Sequence, residues 1–175
     1  MKTFLVSLYC SLFFLVQPSK TANFSIENGQ LIWQKVYATE LSKEQLIQEI
    51  RNSGTFKNSS VFEEKLTAEI SELYLDYDGY GEKSLLPPLN SRYIKSYVII
   101  DFKENKYRVT LKSIKLTPII TGGESYDSTI ALERVALQKE GGGFKDKFLK
   151  KTSKIMDFTF QKITHFKEIE KKDDW

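Results

Sequence analysis

The part of the chain that decides the fold is residues 97–115, which read YVIIDFKENKYRVTLKSIK. Apolar and polar residues alternate on both sides of Glu104 and Asn105, as is typical of two strands that each bury one face. A two-residue turn at Glu104 and Asn105 predicts an antiparallel hairpin. In this register Tyr97 lies opposite Lys112.

This register divides the side chains of the hairpin between two faces. The first face is apolar and is expected to be buried: Val98, Ile100, Phe102, Tyr107, Val109 and Leu111. The second face is mixed and is expected to be open: Tyr97, Ile99, Asp101, Arg108, Thr110 and Lys112. A slip of one residue would expose the apolar set to water, so burial of that set should fix the register.

The first 22 residues have the pattern of a secretory signal peptide. Lys2 supplies a positive charge, and Phe4–Val16 is a dense apolar run. This run is shorter than the roughly 20 residues that a membrane-spanning helix needs. We therefore expect export to the periplasm or cell envelope; a buried N-terminal helix or strand is the alternative.

Removal of this segment changes the chemistry that the chain can carry out. Cys10, the only cysteine, is lost, so neither a disulfide nor a thiolate metal site is expected. Lipidation of Cys10 is disfavoured because bulky Tyr9 precedes it and the apolar run continues beyond it. The net charge of +3 falls by two with Lys2 and Lys20, and a nearly neutral exported chain is a poor candidate for binding nucleic acid.

Local signals place further elements on both sides of the hairpin. Residues Gln30–Ala38 have a strand-like composition, with either of their two faces apolar enough to point inward. A helix should begin after Ser42, which forms a capping box with Gln45, and end near Gly54. Residues Lys65–Ser71 alternate like a strand with one exposed face, and a bulge could extend that strand.

Composition and periodicity predict the structure of the remaining segments. The expected non-regular segments are a polar start at Asn23–Asn28, a turn at Asn58–Ser60 and loops at Asp78–Ser91 and Thr117–Ser128. The expected helices are Thr129–Lys139 and Phe144–Lys167, separated by a break at Gly141–Gly143. The sequence thus predicts an α+β fold: an antiparallel sheet of about four strands over residues 23–128, with helices on one face. Residues 129–175 form a helical segment, ending in a long C-terminal helix, that packs on the same domain.

Three segments resemble a known family. They are Gly29–Tyr37, Leu41–Phe56 and Tyr97–Lys115, and a signal peptide precedes them. Together they resemble a secreted domain of unknown function from Bacteroidetes-type bacteria with a TATA-binding-protein-like fold, over roughly residues 25–116. The resemblance implies that fold and export, but no activity and no catalytic residue. The fold name does not imply DNA binding, because function belongs to sites rather than to folds.

No pattern in the sequence amounts to a catalytic site, a metal site or a cofactor site. A Gly-x-Ser-x-Gly motif and a phosphate-binding loop are both missing. His165 and Glu168 could share a helix face, but two ligands do not complete a zinc or iron site. We therefore predict no catalytic residue, no metal and no cofactor.

The expected function is a non-catalytic binding or structural module of the cell envelope, whose partner is an envelope protein or ligand. Its predicted partner-binding residues are on the open face of the hairpin: Tyr97, Ile99, Asp101, Arg108 and Lys112. One alternative is an exported hydrolase of glycans, which would need two carboxylates about 5–9.5 Å apart. The other is a membrane-surface binder that uses the lysines of Lys139–Lys154, although the exposed side of an amphipathic helix also accounts for them.

Overall fold

The computed structural model of the protein describes residues 22–82, 89–119, 128–139 and 143–166. Apart from Ala22, the predicted signal peptide lies outside these residues. The described strands are β1 (Phe24–Glu27), β2 (Gln30–Ala38), β3 (Phe56–Phe62), β4 (Lys65–Leu73), β5 (Arg92–Lys103), β6 (Lys106–Pro118) and β7 (Ile130–Ala131). The described helices are α1 (Lys43–Asn52), α2 (Tyr77–Tyr80), α3 (Leu132–Ala136) and α4 (Ser153–Thr164), with a 3₁₀ turn at Leu89–Ser91 and a π-helical turn at Phe148–Thr152.

The described strands form one antiparallel, seven-stranded sheet in an α+β fold. Its order is β1-β2-β6-β5-β4-β3, and β7 pairs with the far end of β6. The central pair is the predicted hairpin, and its register is confirmed, since Tyr97 pairs with Lys112 and Asp101 with Arg108. Val98 and Ile100 are fully buried, as the alternation predicted.

The prediction of about four strands was too low. The polar start at Asn23–Asn28 contains β1, and the turn expected at Asn58–Ser60 lies inside β3. Both are edge strands, so their backbones pair on one side only. Edge strands commonly carry polar or charged residues, which hinder pairing with other chains. In β3 the pairing with β4 shifts between Lys57 and Ser60, and this bulge accounts for the turn-like residues within a strand.

The helix predicted after Ser42 is confirmed as α1. The Ser42 hydroxyl accepts a hydrogen bond from the Gln45 amide at 3.2 Å, and the Gln45 side chain accepts one from the Ser42 amide at 2.8 Å. These two bonds satisfy amide groups that the start of a helix leaves free. Leu46 and Ile50 point into the core, so α1 covers one side of the sheet.

Helix α4 covers the same side of the sheet at its other end. Its Phe160 ring packs edge-on against Trp33 of β2 at 5.5 Å. The Asp157 carboxylate accepts a hydrogen bond from Trp33 Nε1 at 2.7 Å. These contacts settle which face of β2 is turned inward, because Trp33 and Leu31 are fully buried.

The C-terminal region is less regular than predicted. The expected helix over Thr129–Lys139 is the short strand β7 followed by the single turn of α3. The long helix expected from Phe144 starts later, because Phe144 forms a β-bridge with Leu137. None of the helices in the described ranges is both long and apolar enough to cross a membrane.

Candidate binding surface

The side of the sheet turned away from α1 and α4 is called the open face below. It comprises alternate residues of β2 to β6, among them Val36, Phe62, Lys65, Glu69, Tyr93, Lys95, Tyr97, Ile99, Asp101, Arg108, Thr110, Lys112 and Lys115. All five residues predicted to bind a partner lie on it. The structure therefore brings them together, as the hairpin register implied.

One row of paired residues crosses five strands of the open face. It runs Phe62–Lys65–Asp101–Arg108–Val36. Arg108 donates from Nε and Nη2 to Asp101 Oδ2 at 3.1 and 2.9 Å, and Lys65 Nζ lies 3.6 Å from Asp101 Oδ1. Two cations thus share one carboxylate, and the row keeps a positive excess between two exposed apolar ends, Phe62 at 65% and Val36 at 56% exposure.

A second row contains Tyr97 and Lys112. Tyr97 lies between Lys112 on β6 and Glu69 on β4, and it is 41% exposed. The Glu69 carboxylate accepts a hydrogen bond from Asn58 Nδ2 at 2.9 Å. Within the described ranges, no carboxylate comes within ion-pair distance of Lys112, so its charge is available to a ligand.

Next to Tyr97, two register shifts, one between β4 and β5 and one between β5 and β6, lie beside a cavity. The pairing of β4 with β5 shifts between Ile70 and Leu73, and the pairing of β5 with β6 shifts between Lys95 and Tyr97. Bulges bend a strand and are over-represented near functional sites. The resulting depression, here called the bulge cavity, has a volume of about 320 Å³, and its lining includes Glu69, Ser71, Lys95, Tyr97, Ser113 and Lys115.

Lys95 and Lys115 are directly opposite each other at this cavity, and sequence reasoning missed them as a pair. The hairpin register, continued without a bulge, would have placed Lys95 opposite Ile114. The sequence does hold a signal: Leu111 and the buried Ile114 are an odd number of residues apart, so both can be buried only if the alternation shifts. The shift occurs at Ser113, whose φ is 51°.

The charge on the open face is strongly biased. Its cations are Lys57, Lys65, Lys95, Lys103, Lys106, Arg108, Lys112 and Lys115. Its carboxylates are Glu69, Glu72 and Asp101, and the edge strand β1 adds Glu27 on the same side. The whole chain is close to balance, with 26 basic and 23 acidic residues, so the positive charge is concentrated on this side of the sheet.

His165, which was considered as a metal ligand, lies against the buried Tyr37 and not on the open face. The His165 ring stacks on Tyr37 with centroids 5.2 Å apart. Glu168, its proposed companion, lies outside the described residues. Among the described side chains, no group of three or more His, Cys, Asp and Glu is arranged so that it could hold a metal ion.

The two alternative functions also have a place in the structure. A cavity of about 370 Å³ at the end of the hairpin is lined in part by Glu40, Glu64 and Glu104, and Glu64 is paired with Lys43 at 2.8 Å. On the lysine-rich stretch, Lys151 pairs with Glu82, whereas Lys147, Lys150 and Lys154 are exposed.

Comparison with known proteins yields likeness at the level of the fold. No family model matches the sequence, and no curated protein matches it significantly. A solved TBP-like protein from Parabacteroides distasonis is 15% identical with a TM-score of 0.47, over 79% of this chain and 86% of that one. A DUF4468 family protein from Bacteroides ovatus is 13% identical with a TM-score of 0.48, over 80% of this chain and 85% of that one.

The first structure bears the TBP-like name that the sequence resemblance predicted, and the second bears the name of a DUF4468 family. At these identities and TM-scores, neither one transfers a partner or a site residue to this chain.

Proposed function

We propose that this protein is a non-catalytic binding module, exported to the cell envelope, whose open face binds an anionic envelope ligand. The observation that carries the proposal is the concentration of lysine and arginine side chains on this side of the sheet. A surface that carries charge of one sign raises the local concentration of the opposite charge and steers association.

The contacts within the open face support an anionic ligand over a cationic one. Asp101, which lies at its centre, is already shared by Arg108 and Lys65. Glu69 is held by Asn58. The carboxylates are thus engaged within the protein, whereas Lys112 has no acidic partner among the described residues.

Exposed aromatic side chains add apolar contact area to this charge. Tyr97 is 41% exposed, and the Tyr74 and Tyr93 rings lie 6.2 Å apart at one end of the open face. Tyrosines combine an apolar ring with a polar tip and are enriched where proteins bind partners. This combination suits a glycan or an acidic protein surface, and the apolar run at Phe4–Val16 supports delivery to the compartment that holds such ligands.

The test is binding of the full chain to an immobilised acidic polysaccharide, alginate, with neutral dextran as the reference, by surface plasmon resonance. Tyr97→Ala combined with Lys112→Ala should weaken binding to alginate about tenfold or more, because it removes one charge and one aromatic contact. Raising the salt concentration should weaken binding by the wild type, since the attraction is between exposed charges.

The matched control is Lys150→Ala combined with Lys154→Ala, which removes exposed lysines from the helical segment instead. Binding should be unchanged in this variant. The proposal fails if the wild type does not distinguish alginate from dextran, or if the double variant at Tyr97 and Lys112 binds as well as the wild type. Loss of binding only in the Lys150 and Lys154 variant would favour the membrane-surface alternative.

A further inference from the structure

We propose that the bulge cavity is a binding site for a single phosphate group, held between Lys95 and Lys115. This inference rests on the proposed binding role of the open face and assigns to one part of that face, the bulge cavity, a preference for phosphate that the alginate test does not probe. The cavity volume of about 320 Å³ is at the lower end of the range for small-molecule sites.

Two like charges, those of Lys95 and Lys115, lie directly opposite each other at the cavity. Lys95 and Lys115 are cross-strand partners on the open face. Side chains at such positions have Cβ atoms roughly 4.5–5.5 Å apart, and like charges there destabilise the sheet. A local conflict of this kind is expected where a functional site compensates for it.

No carboxylate among the described residues offsets the repulsion between these two lysines. Among the described residues, neither lysine has a carboxylate within ion-pair distance. The carboxylate in the cavity lining, Glu69, is held by Asn58. Lys95 Nζ lies 5.5 Å from the centre of the Tyr93 ring, which positions that ammonium group on the open face.

The backbone at the cavity has an unusual conformation at Ser113. Ser113 has a φ of 51°, a conformation that is uncommon for a residue with a side chain and that clusters at ligand sites. The bulge at Ser113 is what places Lys115, rather than Ile114, opposite Lys95. The hydroxyl groups of Ser113 and Ser71 in the lining can donate hydrogen bonds to phosphate oxygens.

The charge count selects a phosphate over a carboxylate. A phosphate close to the dianionic form neutralises both ammonium groups, whereas a carboxylate neutralises one. The phosphate can belong to free inorganic phosphate or to a phosphorylated sugar or headgroup, and the chemistry of the site is the same for both.

The test is titration of the ¹⁵N-labelled protein with inorganic phosphate at constant ionic strength. The protein is purified as the expressing cell processes it, with no further truncation. Amide signals of residues around Lys95, Ser113 and Lys115 should shift along a saturable curve. Lys95→Gln and Lys115→Gln should each weaken phosphate binding about tenfold or more, because each removes a charge-assisted contact. Lys115→Arg should retain binding.

The matched control is Lys150→Gln, which removes an exposed lysine from the helical segment instead of the open face. This variant should bind phosphate as the wild type does. In phosphate-free buffer, Lys115→Gln should melt at the same temperature as the wild type or higher, since it removes a repulsion. A structural role for Lys115 would instead lower its melting temperature.

Parallel titrations with acetate, glucose and glucose 6-phosphate identify the ligand class. Tighter binding of glucose 6-phosphate than of phosphate supports the site and assigns it to a phosphorylated ligand; equal binding supports the site and assigns it to free phosphate. Equal responses to acetate and phosphate, or an equal effect of Lys150→Gln, would overturn the proposal. A phosphate response that is intact when alginate binding fails would contradict only the wider proposed function.

Discussion

Two buried tyrosine hydroxyls hold the end of helix α4 against the sheet. The Tyr37 hydroxyl lies 2.7 Å from Thr164 Oγ1, and the Tyr107 hydroxyl donates to the Thr164 carbonyl and accepts from the Phe166 amide, both at 2.9 Å. The two rings stack with centroids 5.1 Å apart. Burial removes the water that would stabilise the charged, deprotonated form of each tyrosine. It therefore raises the pKa of Tyr37 from 10.0 to about 12 and also raises the pKa of Tyr107.

This pair predicts a loss of stability at high pH. In the unfolded chain the tyrosines lose their protons near pH 10, whereas in the folded chain Tyr37 keeps its proton to about pH 12. The contribution to stability is therefore complete below pH 10 and is lost as the pH rises towards 12. Tyr37→Phe should lower the free energy of unfolding at pH 8 by about 1 kcal/mol and make its decrease above pH 10 shallower.

Urea unfolding of the wild type and Tyr37→Phe between pH 8 and 11.5 measures both effects. Tyr80→Phe is the control, because Tyr80 is exposed and removal of its hydroxyl should change stability by no more than about 0.5 kcal/mol. Parallel curves for the wild type and Tyr37→Phe above pH 10 would contradict the role given to Tyr37.

At the scale of the element, the β5–β6 hairpin divides its side chains between the core and the open face. Ile100 is fully buried and its neighbour Ile99 is half-buried on the opposite side. The two side chains are identical, and adjacent in sequence, so they differ only in the face that they occupy. This makes them a matched pair for testing the hairpin register.

Ile100→Ala should lower the free energy of unfolding by about 2–5 kcal/mol, because it leaves a cavity in the core. Ile99→Ala should lower it by about 1 kcal/mol or less, since solvent already reaches that side chain. Chemical denaturation of the two variants under identical conditions gives both values. A larger loss for Ile99→Ala than for Ile100→Ala would mean that the faces are reversed.

At the scale of the whole molecule, helices cover one side of the sheet and leave the other side open. Helix α1 contributes Leu46 and Ile50 to the shared core, and α4 contributes Phe160. The open face has no such helical cover among the described residues, and it concentrates the basic side chains.

The whole chain is also expected to be exported. Expression of residues 1–175 in a Gram-negative host should yield a periplasmic protein whose mass and N-terminal sequence show cleavage close to residue 23. Leu12→Arg with Phe14→Arg should keep the protein in the cytoplasm by interrupting the apolar run. Lys20→Gln, outside that run, should be exported normally. An uncleaved 20.3 kDa chain in the cytoplasm would contradict the prediction.

Local patterns in the sequence were sufficient for the central part of the fold. The alternation in residues 97–112 determined the hairpin register, and Ser42 with Gln45 determined where α1 begins. These features depend on residues that are close in sequence, and each is reinforced by burial or by a hydrogen bond within the same element. The predicted binding residues could be grouped on one face for the same reason.

Only the tertiary structure decided the extent of the sheet and the composition of the bulge cavity. Edge strands such as β1 and β3 are held by backbone hydrogen bonds to a neighbour, and these bonds leave little trace in side-chain composition. The opposition of Lys95 and Lys115 depends on the one-residue shift at Ser113. Cross-strand pairing beyond a bulge is set by how three strands bend together, which the alternation within a single strand does not specify.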